Sequence, residues 1–448
     1  MKTVIMAGGK GTRIAERFPD IPKPLIPIKD KNGIEKPVLE WELLSLRSQG
    51  FREILVTISY MSEKIQEYFG DGSSLDMEIS YYIEDRPLGN AGALFKIRSW
   101  LGSEPFLLLN ADVVFDIDFN RMVSFHRQKG GLVTLFTHPN SHPYDSGLIV
   151  ANENNEVEQW LAKEDVRPEW YKNRVNAGIH VIDPNVLDES GVDDSLIGII
   201  DEIGRRKVID LDRMLLKPLC GKGVMYCYDS PEYVKDMGTP ERYESVCRDF
   251  SKGIVEAKNL KFPQKAIFLD RDGTINKYVG FLRSIDHFEL LQGVAEAIRK
   301  INESGYLAII VTNQPVIARG EVTIEKLGEI HKKLETLLGK EGAYIDGLYY
   351  CPHHPDKGFE GEIPWLKFDC DCRKPKPGML VKASQDFNIN LKNSWMIGDE
   401  ETDVKAGQAV GCHTVRLKRH GDDAKEAISG SDFTTSMLLD AIERILTK

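Results

Sequence analysis

Two short apolar runs, at residues 3–6 and 266–269, each end in a loop of glycine or acidic residues. After the first run, strand-like segments alternate with helix-period segments, the former at 54–59, 106–109 and 132–136 and the latter at 38–48 and 119–129. Such alternation predicts a parallel sheet covered by helices, whose ligands bind at the carboxyl ends of the strands. The chain is therefore predicted to be α/β, with two Rossmann-like domains and one candidate site in each.

The stretch 249–264 is polar and lacks periodicity, which is typical of a linker between domains. The chain has 448 residues, enough for two domains. We therefore predict one domain at 1–248 and a second at 265–448. Apolar runs predict the strands of the second domain at 266–269, 307–312, 347–350, 394–397 and 413–417.

Composition limits the classes of partner. The net charge of −11 disfavours nucleic acid, because phosphate backbones bind basic protein faces. No apolar run approaches the roughly 18 residues of a membrane span, and the first residues are too glycine-rich for a signal peptide. Seven cysteines in so long a chain do not indicate a disulfide framework. We expect a cytoplasmic protein with small-molecule substrates and neither a nucleic-acid nor a membrane partner; composition leaves its oligomeric state open.

The first loop is suited to a polyphosphate. Gly8, Gly9 and Gly11 allow backbone N–H groups to turn toward phosphate oxygens, and Thr12 and Arg13 follow them directly. The loop is not a Walker A motif, because no Gly-Lys-Ser/Thr closes it, and its glycine spacing differs from that of dinucleotide-binding loops. It therefore predicts a nucleotide phosphate site of another class.

Lys23 lies between Pro22 and Pro24 in a stiff, extended stretch, so it can be aimed at a phosphate. Together with the glycine loop, this stretch resembles the Gly-Gly-x-Gly-Thr-Arg and Pro-Lys-Pro motifs of the sugar-nucleotide pyrophosphorylases, a family of nucleotidyltransferases, over residues 1–245. The resemblance implies a nucleotidyltransferase fold. It also implies further site residues: Glu84 and Gly89 for the base, Asp112 and Asp236 for Mg²⁺, and Gly147, Lys163 and Asn176 for the sugar phosphate.

The reaction implied by this resemblance is attack by a sugar 1-phosphate oxygen on the α-phosphorus of a nucleoside triphosphate, with release of pyrophosphate. Such chemistry depends on positioning and charge neutralisation. Arg13 and Lys23 would be the catalytic cations beside the metal. One departure concerns the sugar: Ala162 precedes Lys163 where the family often has glutamate, which removes a carboxylate that would bind sugar hydroxyls.

The second loop carries Asp270 and Asp272, followed by Gly273-Thr274. Two carboxylates at the carboxyl edge of a buried strand can hold a divalent metal against a phosphate, and one of them can attack it. Later segments add a hydroxyl, two cations and a further acid, at Thr312, Arg373, Lys374 and Asp399. The sequence therefore predicts a phosphate-hydrolysing site at this edge.

Asp-x-Asp, Thr, Lys and Gly-Asp in this order resemble the haloacid-dehalogenase-like phosphatases, and within them the branch of histidinol-phosphate and heptose-bisphosphate phosphatases, over residues 264–448. The resemblance implies a fold of this class with a minimal cap. Asp270 would be the nucleophile that becomes phospho-aspartate, and Asp272 would protonate the leaving oxygen and later activate water. Thr312 and Lys374 would hold the phosphoryl oxygens, while Asp399 would bind Mg²⁺ with Asp270 and the backbone carbonyl of Asp272.

Cys351, His353, Cys370 and Cys372 form two short pairs in a loop that contains proline and glycine. Three thiols and an imidazole suit tetrahedral Zn²⁺, and the closed ligand set indicates one structural ion. The branch named above shares a zinc loop. Because Arg373 follows the last cysteine directly, the zinc would clamp the segment that delivers the two cations to the phosphate.

Three more residues of the second domain are candidates for substrate binding: Asn313, Arg319 and Arg373. Arginine grips phosphate through paired hydrogen bonds. The sequence departs from the branch at Pro315-Val316, which stiffens a loop and removes a hydroxyl, and at Glu400, where a lysine often stands. We expect these departures to affect substrate preference and to leave catalysis intact.

Resemblance to fused guanylyltransferase–phosphatase proteins implies an enzyme of nucleotide-activated heptose synthesis, a part of lipopolysaccharide formation. One domain would remove the 7-phosphate of D-glycero-D-manno-heptose 1,7-bisphosphate, and the other would transfer GMP from GTP to heptose 1-phosphate. Two alternatives stay open. A hexose-1-phosphate nucleotidyltransferase could be fused to a histidinol-phosphate-like phosphatase, or the first domain could be a sugar-nucleotide sensor that regulates the phosphatase.

Overall fold

A computed structural model describes residues 1–9, 11–193, 195, 197–199, 207–418 and 430–447. The chain forms two compact units. The first consists of Met1–His138, Gly147–Ala162 and Val175–Asn259, and the second of Pro139–Ser146, Lys163–Arg174 and Leu260–Lys448. Relative to the predicted division, two short segments that precede residue 175 thus belong to the second unit. Among the described residues, no helix is both long and apolar enough to cross a membrane.

The first unit is built on a nine-stranded sheet whose central path is β10-β9-β11-β6-β1-β4-β5, with β8 paired to β11 and β12. Its strands are β1 (Thr3–Met6), β4 (Glu53–Ile58), β5 (Glu78–Ile83), β6 (Phe106–Asn110), β8 (Val133–His138), β9 (Leu148–Ala151), β10 (Val157–Leu161), β11 (Val175–Ile182) and β12 (Met225–Asp229). The strands β5, β4, β1 and β6 are parallel. The expectation of a wholly parallel sheet was wrong beyond β6, because β11 runs antiparallel to both β6 and β8.

Two small antiparallel ribbons carry site residues in the same unit. One pairs β2 (Pro27–Lys29) with β3 (Glu35–Pro37), and the other pairs β7 (Val113–Asp116) with β13 (Tyr233–Asp236). The helices are α1 (Thr12–Ala15), α2 (Val38–Ser48), α3 (Ser62–Phe69), α4 (Gly92–Lys96), α5 (Arg98–Leu101), α6 (Phe119–Lys129), α7 (Val186–Glu189), α8 (Pro240–Lys252) and α9 (Ile254–Ala257). Both helix-period segments of the sequence, 38–48 and 119–129, are helices with those bounds.

The stretch 249–264, expected to be a linker, is helical as far as Ala257. The local signals explain this difference. Thr239 caps α8 by accepting a hydrogen bond from the backbone N–H of Arg242, and Pro240 occupies the first turn. Buried Phe250, Ile254 and Val255 then pack with the core of the first unit, so apolar burial outweighs the polar composition of the stretch.

The second unit has a six-stranded, fully parallel sheet of order β16-β15-β14-β17-β18-β19. Its strands are β14 (Lys265–Leu269), β15 (Tyr306–Asn313), β16 (Gly347–Cys351), β17 (Trp395–Gly398), β18 (His413–Leu417) and β19 (Phe433–Thr435). The helices are α10 (Val294–Asn302), α11 (Ile324–Lys340), α12 (Gly378–Phe387), α13 (Glu401–Ala409) and α14 (Leu438–Leu446). Buried apolar clusters lie on both faces of the sheet, as parallel strands require.

The segment 163–174 joins the second unit through α11. The backbone N–H of Tyr171 donates to Thr336 Oγ1 at 2.9 Å, and that of Asn173 donates to Glu335 Oε2 at 2.8 Å. Glu335 and Thr336 are buried, so these bonds are shielded from water.

Candidate active sites

In the first unit, the carboxyl end of β1 opens into the glycine loop that the sequence predicts as a phosphate site. Gly11 has a φ of +56° and lies against the side chain of Lys23, with Lys23 Cδ 3.5 Å from where a Cβ would be. A side chain at this position would be strained and would crowd Lys23, which explains the glycine. Gly8 and Gly9 precede it in the same loop, and the side chain of Thr12 lies outside the described residues.

Asp112 and Asp236, both predicted to bind metal, lie side by side. The ribbon between β7 and β13 places Asp236 opposite Val113, and the N–H of Met237 donates to the backbone carbonyl of Asp112 at 3.1 Å. Lys23 Nζ lies 3.3 Å from Asp112 Oδ2. Arg242 pairs with Asp236 Oδ2, and a Cβ on Gly238 would be 3.5 Å from the guanidinium of Arg13. Two carboxylates, each paired with a cation, suit a divalent ion and anionic phosphates.

Glu84 and Gly89, predicted to recognise the base, flank a tight loop. The Glu84 carboxylate accepts a bond from the N–H of Leu88 at 3.4 Å and faces Gly8. Burial raises the pKa of Glu84 above its ordinary value. Gly89 has a φ of +85°, and a Cβ there would lie 2.3 Å from the carbonyl oxygen of Ile209, so only glycine fits.

The residues predicted to bind the sugar phosphate fall into both units. Asn176 and Gly147 are adjacent in the first, where the N–H of Asn176 donates to the Gly147 carbonyl at 3.2 Å. Asn176 Oδ1 lies 3.2 Å from Nε2 of the buried His180. Lys163 belongs to the second unit, where its ammonium pairs with Asp145.

In the second unit, Asp270 follows β14 and lies next to Lys374, as the motifs predict. Lys374 Nζ is fully enclosed and donates to Asp270 Oδ1 at 2.5 Å and to the Val311 carbonyl at 2.8 Å. It is also 2.6 Å from Asp403 Oδ1. Burial alone would lower the pKa of Lys374, but the charges of Asp270 and Asp403 raise it. The lysine is therefore a fixed cation between two buried carboxylates.

Three carboxylates can converge on one metal ion here. One oxygen each of Asp270, Asp399 and Asp403 lies within 4.8 Å of the others. A Cβ on Gly273 would be 2.1 Å from Asp399 Oδ2, and one on Gly398 would be 2.1 Å from Asp403 Oδ2, so both glycines are needed to let the acids approach. A buried, all-oxygen cluster of this kind fits Mg²⁺.

Burial raises the pKa of Asp270 to about 7; Lys374 opposes the rise, and Asp403 and Asp272 add to it. Burial likewise raises the pKa of Asp403, against the Lys374 charge. A divalent cation would favour the ionised forms of both.

Asp272 differs from Asp270 in its partners. Its carboxylate accepts two bonds from Arg271 Nη2, at 2.9 and 2.7 Å, and one from Gln314 Nε2 at 2.8 Å. Burial would raise the pKa of Asp272, but Arg271 and these hydrogen bonds lower it overall. Among the described residues, the Asp272 carboxylate is not one of the three whose oxygens converge. Arg271 is itself buried and lies 3.1 Å from His331 Nε2.

Asn313, predicted to bind substrate, clamps the backbone of Lys374. Its side-chain oxygen accepts from the Lys374 N–H and its amide donates to the Lys374 carbonyl, both at 3.0 Å. Thr312 is buried at the end of β15, and its hydroxyl oxygen accepts from Gln314 Nε2 at 2.9 Å. These contacts fix the lysine and the threonine hydroxyl at one edge of the sheet.

Cys351, His353, Cys370 and Cys372 come together as predicted for a zinc site. The Sγ atoms of the cysteines are 3.2 to 3.5 Å apart, and His353 Nδ1 is 3.2 Å from Cys372 Sγ. Such distances are too long for disulfide bonds and close to those among the ligands of a tetrahedral ion. Hydrogen bonding from Cys351 lowers the pKa of Cys372 to about 5, so a thiolate is favoured in this cluster.

Arg319 and Arg373 lie in a region rich in cationic and aromatic side chains. The Arg319 guanidinium is stacked between two rings, 4.2 Å from the centre of Phe281 and 4.4 Å from that of Phe359. Lys367 is buried 4.5 Å from the Phe359 ring centre. Burial and the charges of Arg373 and Arg319 lower the pKa of His354 beside them. The positive charges of Arg319, Arg373 and Lys367 therefore suit this region to binding an anion.

Sequence reasoning missed several residues of these sites. Asp403 lies in the first turn of α13, four positions after Asp399, and the run of acids between these two residues could have indicated it. Arg271 lies between Asp270 and Asp272, and Gln314 lies between Asn313 and Pro315, but the sequence analysis assigned neither residue a role. Arg242 belongs to no recognised motif. It pairs with Asp236 because the capped first turn of α8 places its side chain there.

Comparison with known proteins shows which families this chain resembles. The nucleotidyl transferase family model matches residues 2–249, and a HAD-hydrolase-like model matches residues 371–443. The D-glycero-beta-D-manno-heptose-1,7-bisphosphate 7-phosphatase of Yersinia pestis is 39% identical over 176 residues, which are 39% of this chain and 92% of that protein. The enzyme of the same name from Salmonella typhi is 40% identical over 176 residues, which are again 39% of this chain and 92% of that protein. The crystal structure of HddC from Yersinia pseudotuberculosis covers 56% of this chain and 99% of its own, at 21% identity and a TM-score of 0.45.

The chain belongs to the nucleotidyl transferase family through its first part and to the family of these HAD-like phosphatases through its second. It is an enzyme that fuses a nucleotidyltransferase domain to a phosphatase domain. The family resemblances that the motifs predicted are thereby confirmed.

Proposed function

We propose that the phosphatase removes the 7-phosphate of D-glycero-D-manno-heptose 1,7-bisphosphate and that the transferase then attaches GMP from GTP to the heptose 1-phosphate. The observation that carries this proposal is the enclosed cluster of Asp270, Lys374, Asp399 and Asp403. The chain that contains this cluster matches 92% of the length of a 7-phosphatase named for this bisphosphate, and the matched residues are 39% identical. The same chain holds Lys23, Asp112 and Asp236 as a second set of phosphate-directed groups.

In the phosphatase, a carboxylate oxygen of Asp270 attacks the phosphorus, and the bond from phosphorus to the sugar oxygen breaks. Lys374 and the Thr312 hydroxyl hold phosphoryl oxygens, since both are fixed at the same edge of the sheet. Mg²⁺ held by Asp270, Asp399, Asp403 and the Asp272 carbonyl would supply charge neutralisation.

Asp272 serves as acid and then as base. The bonds from Arg271 and Gln314 favour its ionised form, the one that takes a proton from water when the phospho-aspartate is hydrolysed. The first step needs the protonated form, which the charge of a bound phosphate favours. Asn276 Nδ2, 3.0 Å from Asp272 Oδ1, further restrains the carboxylate.

In the transferase, the glycine loop binds the triphosphate, and Arg13 and Lys23 offset charge on the leaving pyrophosphate and the attacking phosphate. Asp112 and Asp236 would hold Mg²⁺, which would supply charge neutralisation for the phosphates there. Glu84 and Gly89 face the base, while Gly147 and Asn176 receive the sugar phosphate.

The zinc cluster is proposed to be structural. Four protein ligands leave no open position for chemistry, and Cys372 is the direct neighbour of Arg373. Thiolate ligands of this kind are kept reduced in a cytoplasmic location, which we propose for the enzyme.

The phosphatase must spare the anomeric phosphate, because the transferase needs it as nucleophile. Arg319, Arg373 and Lys367 are proposed to bind that phosphate at the far end of the bisphosphate while Asp270 attacks the near one. Arginine is well suited to this task through paired hydrogen bonds.

The test is phosphorus NMR of the full chain with heptose 1,7-bisphosphate, Mg²⁺ and each nucleoside triphosphate in turn. We expect loss of the 7-phosphate first, followed by GDP-heptose and pyrophosphate when GTP is present. Asp270→Asn is the matched control, since it should form GDP-heptose only when heptose 1-phosphate is supplied. Loss of the 1-phosphate first, or use of no triphosphate, would contradict the proposal.

A further inference from the structure

Glu42 is a buried carboxyl group for which the mechanism has no role so far. It lies on α2 with 1% of its surface exposed. Neither of its carboxyl oxygens has a hydrogen-bond partner among the described residues. A buried acid without partners destabilises a fold, and an apolar residue would satisfy the helix better. Such a group is therefore expected to have a task.

The surroundings of Glu42 identify that task. Helix α2 packs against the turn Lys23–Leu25 and against β7, which begins next to Asp112. Burial raises the pKa of Glu42 well above its ordinary value, the charge of Asp112 adds to the rise, and that of Lys23 opposes it. Glu42 thus lies on the helix that packs against both the Lys23 turn and the strand that follows Asp112, and its carboxyl oxygens bond neither residue.

Glu40, on the same helix, shows what an ordinary buried acid looks like here. Its carboxylate pairs with Lys36 and accepts a bond from the Tyr68 hydroxyl at 2.8 Å. Only 7% of its surface is exposed. The contrast indicates that the missing partners of Glu42 are a feature of its site beside Lys23 and not of helix α2.

We propose that Glu42 is a positioning residue that accepts the Lys23 ammonium once Asp112 binds the metal. In the structure the Lys23 ammonium pairs with the Asp112 carboxylate, and the Lys23 side chain is 9% exposed. When a divalent ion displaces it, the buried ammonium needs another acceptor, because an unpaired charge is costly away from water. A carboxyl oxygen of Glu42 supplies this acceptor and keeps the ammonium near the phosphates. The inference rests on the proposed transferase function of Asp112 and Lys23.

The test compares Glu42→Leu and Glu42→Met, which remove the acceptor, with Glu42→Gln, which keeps an oxygen. Binding of GTP to the full chain is measured by calorimetry over a range of Mg²⁺ concentrations, and transfer is measured by pyrophosphate release. In the two apolar variants, we expect the Mg²⁺ concentration for half-maximal GTP binding to rise about tenfold, since Lys23 stays on Asp112. We also expect kcat for transfer to fall about tenfold with little change in the KM for GTP.

Stability separates positioning from a structural role. Glu42→Leu should raise Tm while transfer falls, and Glu42→Gln should recover most of the transfer rate. Glu40→Gln is the matched control and should leave transfer and the Mg²⁺ dependence unchanged. Circular dichroism and the thermal transition of each variant report whether the transferase unit is folded, and Glu42→Met replaces Glu42→Leu if the latter does not fold.

An apolar variant with wild-type Mg²⁺ dependence and wild-type kcat would overturn the inference. If the wild type binds Mg²⁺ and GTP but yields no sugar nucleotide, the proposed function fails. The calorimetric comparison alone then decides the role of Glu42.

Discussion

The two active sites hold their carboxylates in opposite surroundings. In the transferase, the side chains of Asp112 and Asp236 are 53% and 35% exposed. In the phosphatase, those of Asp270 and Asp403 are 10% and 1% exposed. In the proposed reactions, the first site neutralises and positions substrates that bring their own reactive groups, whereas the second uses the Asp270 carboxylate as the nucleophile.

This difference predicts different sensitivity to change. Exposed ion pairs are screened by water and contribute little to stability. A buried cation between two acids is held by strong interactions, and removing it leaves charge uncompensated. Substitutions in the phosphatase should therefore affect both chemistry and folding, while those in the transferase should affect chemistry alone.

The largest effect is expected from Asp270→Asn. Loss of the nucleophile should lower the phosphatase rate by at least about 10³-fold, while transfer to supplied heptose 1-phosphate stays near the wild-type rate. Phosphate and pyrophosphate release on the same sample measure the two activities. Asp112→Asn should give the reverse pattern.

Both variants must be shown to be folded by circular dichroism. If either folded variant loses both activities, the sites are not separable and the comparison between them fails.

The second prediction concerns the central lysines of the two sites. Lys374→Met should lower the free energy of unfolding by about 3–5 kcal/mol, because Asp270 and Asp403 lose their shared cation. Lys23→Met should lower it by about 1 kcal/mol or less, since its partner is exposed. Urea unfolding in Mg²⁺-free buffer measures both.

A control isolates the charge effect. Adding Asp403→Asn to Lys374→Met should restore part of the lost stability, as one buried charge fewer is left unpaired. Equal losses for the two single lysine variants would contradict the distinction between buried and exposed sites.

The third prediction uses the proposed zinc cluster, which lies in the unit that carries the phosphatase site. Cys370→Ser should reduce bound zinc from about one ion per chain. It should lower phosphatase activity about 10- to 100-fold, since the segment of Arg373 and Lys374 loses its clamp. Plasma emission spectrometry measures the metal, and transfer should be unaffected.

Cys412→Ser is the matched control, because Cys412 is buried and belongs to no ligand cluster among the described residues. Absence of zinc from wild-type protein purified without chelator would contradict the structural role.

Local patterns predicted much of this fold and part of each site. The periodic segment 38–48 forms α2 with the predicted bounds, and the apolar runs of the second domain all became parallel strands. The motifs also predicted that Asp270 and Lys374 belong to one site. Asp270 follows β14, and Asn313 at the end of the neighbouring strand β15 binds the backbone of Lys374 at the same edge of the sheet.

What the sequence did not predict depends on distant contacts. The antiparallel course of β11 follows from its pairing with β6 and β8, which no local pattern encodes. Glu42 is one of the polar residues of the segment 38–48, and the helix that carries it packs against the turn at Lys23–Leu25, which local sequence does not encode. The segment 163–174 joins α11 through bonds to Glu335 and Thr336 that lie far along the chain.

The smallest expected effect is a shift in the pH dependence of the phosphatase. Asp270 attacks as a carboxylate, so activity is lost as the pH falls through its pKa, which burial raises to about 7. A divalent cation on the same carboxylate favours the ionised form and lowers that pKa. Raising Mg²⁺ should therefore move the acid limb of kcat/KM to lower pH, by about one unit or less. Profiles of phosphate release from about pH 5 to pH 9 at two Mg²⁺ concentrations test this. An acid limb that does not move with Mg²⁺ would mean that ionisation of the buried Asp270 does not set the pH dependence. The burial that distinguishes the phosphatase site from the transferase site would then have no effect on its chemistry.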